Sequence, residues 1–162
     1  MGVSWDIASL IHCSIVKLLI YCFIVNILDK KYLQLNDLDA YKISFALSNY
    51  IWNVVIKWDY FARDTVGKQF VRAADSVSAN IAEGFGRYTK KDKINFYRYS
   101  YGSIKESLDW NQKAKTRNLI TEEQHSCILN MLQGLPRLVN QLIKYTNLKQ
   151  DLRIISFWLM LT

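Results

Sequence analysis

The chain has 162 residues, 51% of them apolar and 22% charged, with a formal net charge of +7. That length and apolar content suit one folded domain with its own core and exclude a disordered polyelectrolyte. One proline and six glycines are too few turn formers for an all-β chain, and no long apolar–polar alternation occurs, so long helices with short connections are predicted.

Residues 1–35 read as an apolar N-terminal extension. Ile7 to Leu28 is strongly apolar, interrupted by His12, Lys17 and Asn26. Its length would span a bilayer, with Lys30 and Lys31 holding the following domain on the cytoplasmic side. Lys17 near the centre would cost roughly 2.5–3.5 kcal/mol on insertion scales. A signal peptide would need a basic start and a small-residue cleavage site, and neither is present. An extension lying outside the functional domain is preferred, with a membrane anchor ranked second.

Residues 36–150 carry four helical patterns. The first is predicted from Asp37 to Trp58. Leu38, Tyr41, Phe45, Ser48, Trp52 and Val55 form one stripe, and Ile43, Leu47, Ile51, Val54 and Trp58 a second. Two adjacent stripes predict a helix wedged between neighbours. The second helix, from Asp64 to Phe85, has Val66, Phe70, Ala73, Val77 and Ile81 on its core stripe. Small residues such as Ala74 and Ser78 allow close approach, and Gly84 and Gly86 are expected to stop the helix. The third, from Lys90 to Arg117, starts at a capping box of Thr89 and Asp92. Ile94, Tyr97, Tyr101, Ile104 and Leu108 make one seam, and Phe96, Ser100, Ser103, Ser107 and Trp110 another. The fourth, from Glu122 to Leu148, opens on a capping box of Thr121 and Gln124. It carries Leu129, Leu132, Leu135, Leu138, Leu142 and Tyr145, with a kink expected at Pro136. Short loops make successive helices antiparallel neighbours. Residues 151–162 form an apolar C-terminal tail too short to span a membrane. The predicted fold is therefore all-α: an antiparallel up-down four-helix bundle with apolar N- and C-terminal extensions.

Cys13, Cys22 and Cys127 are odd in number and lack metal or disulfide spacing. His12 and His125 have no carboxylate at ligand spacing. A reducing cytoplasm is the expected location, and no metal or cofactor is expected.

Gly67-Lys-Gln-Phe-Val-Arg-Ala-Ala-Asp-Ser-Val-Ser-Ala-Asn-Ile-Ala-Glu-Gly-Phe-Gly-Arg87 resembles the core of the four-helix bundle family named for the 23S rRNA intervening-sequence protein. That family also includes the accessory protein of diversity-generating retroelements. Leu38-Asp-Ala-Tyr-Lys42, Trp58-Asp-Tyr-Phe-Ala62, Tyr101-Gly-Ser-Ile-Lys-Glu-Ser-Leu108 and Arg117-Asn-Leu-Ile-Thr-Glu-Glu123 extend the resemblance over residues 36–150, from which Pro136 departs. The resemblance implies an antiparallel bundle assembled as a homo-oligomer, commonly a pentamer, with a basic surface. A reverse transcriptase and nucleic acid are the partners it implies for a retroelement accessory protein.

Residues 87–117 hold Arg87, Lys90, Lys91, Lys93, Arg98, Lys105, Lys113, Lys115 and Arg117 against Asp92, Glu106 and Asp109, a net of +6 out of the chain's +7. Lys91, Arg98 and Lys105 recur every seven residues and share a helix face, so these nine cations are the candidate nucleic-acid contacts. Tyr88 among them could stack on an unpaired base. The competing reading is a solvated face. Nothing in the pattern reads base edges, so binding is expected to be independent of sequence. Gly84 and Gly86 lack the third glycine and the preceding strand of a dinucleotide loop. Asn80, Glu83, Arg87 and Arg72 fit a bundle or subunit contact better than a catalytic carboxylate site. Tyr99, between the two seams, is the expected exposed ring. The resulting expectation is a non-enzymatic scaffold that binds RNA or DNA, with a nucleic-acid enzyme docked on it; the alternative is a protein-interaction module with no nucleic-acid role.

Overall fold

The computed structural model describes residues 33–161 in backbone and 33–148 in side-chain environment. Contacts divide the chain into two units, Met1–Gln34 and Leu35–Thr162, and the fold is that of the second. The expectations for the apolar stretch from Ile7 to Leu28 lie outside the described residues. Among the described residues every regular element is helical.

A short 3-10 turn, Leu35–Asp37, leads into α1, Asp39–Val55. A tight corner follows, closed by Ile56 N–H donating to the Trp52 carbonyl and Trp58 N–H to that of Val55. The Asp59 carboxylate then accepts from the Ala62 amide at 3.0 Å, an N-cap that restarts the helix. The chain passes through Tyr60–Ala62 and a π-helical turn, Arg63–Gly67, into α2, Lys68–Gly86. Gly67 is required at this corner. A Cβ there would stand 2.6 Å from Val55 Cγ1, so only glycine lets the end of α1 pack against the start of α2. The third helix, α3, is Lys90–Thr116, and the fourth, α4, is Glu122–Leu161.

Four helices close into a square. α2 packs on α1 and α3, and α4 packs on α3 and α1. Neighbours are antiparallel, as the cross-links show. Ser48 of α1 bonds Asp75 of α2 at 2.7 Å, while Val55, later in α1, lies against Gly67, which precedes α2. Ser100 of α3 donates to the Val77 carbonyl at 3.1 Å, and Asn111 Nδ2 donates to the His125 carbonyl of α4 at 3.2 Å. The up-down bundle read from the loop lengths is the observed one.

The core is built from the predicted stripes. Leu47 and Ile51, Phe70 and Val77, Ile104, and Leu132 and Leu135 are fully buried, one group from each helix. The outer stripe of α1 departs from the expected wedge: Phe45 and Trp52 are exposed, because α1 has helical neighbours only on the sides facing α2 and α4.

Three boundary expectations are corrected. Gly84 does not stop α2; it is buried within the helix, and a Cβ there would meet the Tyr97 ring at 2.7 Å. Its role is a close crossing of α2 and α3. No described glycine has positive φ. α2 ends instead where Arg87 turns extended, at φ −68° and ψ 145°. α4 continues past Leu148 to Leu161 and runs as one helix through Pro136. The proline removes one amide, while Leu132, Leu135 and Val139 on either side of it are fully buried and keep the helix docked.

The ends of α3 show why it is so long. Asp92 N–H donates to Thr89 Oγ1 at 3.1 Å, and the Thr89 hydroxyl donates to the Asp92 carboxylate at 2.6 Å. Asp is one methylene shorter than the usual Glu, and its carboxylate is occupied by the threonine hydroxyl. At the other end Asn118 has φ 55°. Asn118 N–H donates to the Lys115 carbonyl and Leu119 N–H to that of Ala114, each at 2.9 Å, which is a Schellman stop built on asparagine.

Candidate nucleic-acid interface

The core side of α3 is lined by Tyr97, Ser100, Ile104, Ser107, Asn111 and Ala114. Burial raises the Tyr97 phenol above its ordinary value. Positions 91, 98 and 105 fall on the opposite side of this helix at 100° per residue, and Lys91, Arg98 and Lys105 are all exposed. A rise of about 1.5 Å per residue sets them roughly 10 Å apart. One strand carries a phosphate about every 3.4 Å, so the three cations match about every third phosphate. Lys105 Nζ also lies 5.6 Å from the Tyr101 ring centre.

The nine cations separate into distinct roles. Arg87 is ion-paired with Glu83, Lys113 with Asp109, and Lys115 with Glu122 at 2.9 Å. Glu83 and Glu122 come from outside the 87–117 window, so the fold supplies neutralising charge that a count within the window omits. Arg87 also covers the Phe96 ring at 4.5 Å, and Lys113 the Trp110 ring at 4.4 Å. Lys93 donates to the Phe85 carbonyl at 2.9 Å and ties the start of α3 to the end of α2. Four of the nine are thereby committed to internal contacts. Among the described residues, Lys90, Lys91, Arg98, Lys105 and Arg117 make no ion pair within 4.0 Å. Lys90 and Lys91 sit at the start of α3, Arg98 and Lys105 along it, and Arg117 at its end.

Tyr88 is fully exposed in the loop before α3, beside Lys90 and Lys91 in sequence. Tyr99 is 58% exposed and packs edge-on against Phe96 at 5.6 Å, as the seam analysis predicts. Asn80 reaches Ser103 of α3 at 3.5 Å, so it serves the bundle. Among the described residues no group of three or more His, Cys, Asp or Glu could hold a metal ion, and no helix is long and apolar enough to cross a membrane.

The sequence pattern misses a second surface feature. A groove of about 570 Å3 opens between α1 and α2, with Trp52, Ile56 and Val71 among its lining. Arg63, Arg72, Asp75 and the Lys68–Asp64 ion pair stand around it, and Asp64 raises the Lys68 amine above its ordinary value. The available signal was the outer stripe of α1, where Phe45 and Trp52 sit seven residues apart without a partner helix.

The family described as 23S rRNA-intervening sequence protein matches residues 36–141. A crystal structure of a protein of unknown function from the S23 ribosomal protein family of Bacteroides thetaiotaomicron VPI-5482 shares the fold. It superimposes with a TM-score of 0.58 at 24% identity, over 65% of this chain and 95% of that one. Comparison with the curated proteins returns no match.

Proposed function

The chain belongs to the 23S rRNA-intervening sequence protein family, and from that premise we propose that it is a non-enzymatic scaffold that binds RNA or DNA without sequence specificity. The supporting observation is the exposed line of Lys91, Arg98 and Lys105 on the outer face of α3. Cations held at fixed intervals on a rigid helix neutralise phosphates and release their condensed counterions, a gain that ignores base identity. Lys90 and Arg117 extend the line at its two ends, and Tyr88 offers a ring for an unpaired base. Self-assembly into a ring, a pentamer by family resemblance, multiplies the line around the assembly. A nucleic-acid enzyme such as a reverse transcriptase is the class of partner this scaffold would hold.

The test is binding to mixed-sequence RNA in a gel shift. Lys91→Glu, Arg98→Glu and Lys105→Glu together are expected to abolish the shift while helix content stays unchanged. Retained binding by this triple variant contradicts the proposal. A second reading, a protein-interaction module with no nucleic-acid role, is favoured by one observation, the apolar α1–α2 groove. Under that reading the wild-type chain gives no shift at any salt concentration.

A further inference from the structure

α4 is much longer than the bundle needs. Its last fully buried side chain is Val139, and Leu142 and Ile143 are half-buried. Residues 144–161 continue the helix for roughly 27 Å at 1.5 Å per residue. Along this overhang Tyr145 is 51% exposed and Leu148 60% exposed. In the sequence Leu152, Ile155 and Leu159 follow Leu148 at spacings of four, three and four, the repeat of an apolar helical ridge. This ridge lies beyond residue 141, where the family match ends.

The α1–α2 groove is the complementary shape. Trp52 and Ile56 wall it on α1, while Gly67 and Ala79 leave room for a close approach from the α2 side. Arg72 and Asp75 give the rim both signs of charge. The ridge is likewise flanked in sequence by Lys149, Asp151 and Arg153. An amphipathic helix laying its apolar face into such a groove is a recurrent mode of recognition.

The ridge does not reach the groove of its own chain. Tyr50 of α1 sits against Cys127 of α4, so the groove is level with the first turns of α4. The overhang begins 17 residues later, roughly 26 Å along the helix axis, and runs away from the groove. We propose that the ridge on the α4 overhang seats in the α1–α2 groove of a second copy of this chain. The proposal rests on the self-assembly put forward above and assigns the surfaces that make it. The contact is heterologous, head to tail, so each copy gives one ridge and receives one, and the assembly closes as a ring or grows as a filament.

Such a contact has a specific test. Trp52→Glu spoils the groove and leaves the ridge; Leu152→Glu spoils the ridge and leaves the groove. Light scattering is expected to give an oligomer larger than a dimer for the wild-type chain and a monomer for each variant, with helix content retained. Mixing the two variants is expected to give a 1:1 dimer and nothing larger, because one intact ridge meets one intact groove and both outer ends are blocked. A mixture that stays monomeric overturns the proposal. Variants that keep the wild-type oligomer mass also overturn it, and leave self-assembly standing through other faces. A monomeric wild-type chain overturns both.

Discussion

Gly84 illustrates how a single residue sets the geometry of the bundle. The Tyr97 ring occupies the space a side chain would fill, with Tyr97 Cε1 2.7 Å from the position of a Cβ and the Lys93 carbonyl at 3.2 Å. Gly84→Ala therefore has to displace either a buried ring or the backbone of α3. It is expected to cost about 1–3 kcal/mol, the usual range for overpacking, measured by urea denaturation; unchanged stability would mean the two helices separate freely at that level. The neighbouring cations follow the same logic of committed space. Lys93 closes on the Phe85 carbonyl and Arg87 on Glu83, so these two serve the α2–α3 turn before any partner arrives.

At the scale of elements, stripes and caps were readable because they are local. The Thr121–Gln124 box is present as predicted: Gln124 N–H donates to Thr121 Oγ1 at 3.2 Å, and Thr121 N–H to the Gln124 side chain at 3.0 Å. Thr121→Ala is expected to lower stability by about 0.5–2 kcal/mol in thermal or urea unfolding, with the fold retained. What the sequence pattern could not reveal depended on tertiary packing. Gly84 looked like a helix stop because glycine suits both a stop and a tight crossing, and only the ring of Tyr97 decides between them. The α3 stop is made by Asn118, which a glycine search passes over. The end of α4 was placed at Leu148 because the apolar tail read as a separate piece, whereas the helix continues without a break to Leu161.

For the whole molecule, the distribution of charge matters more than its total. The window from Arg87 to Arg117 was legible as basic, but its ion pairs with Glu83 and Glu122 were not, since those acids approach only when the helices pack. Those two pairs, Lys113–Asp109 and the Lys93–Phe85 contact commit four cations, and the outward line is reduced to Lys91, Arg98 and Lys105 with Lys90 and Arg117 at its ends. The α1–α2 groove was equally hidden, because an outer stripe reads as a core stripe until the neighbouring helices are placed. The most direct test of the central claim is the salt dependence of affinity for a single-stranded RNA. For the wild-type chain log K should fall linearly with log salt. Replacing Lys91, Arg98 and Lys105 by glutamine should flatten that slope by about 2 per engaged subunit, from roughly 0.7 per lost phosphate contact. An unchanged slope in the glutamine variant would contradict the account.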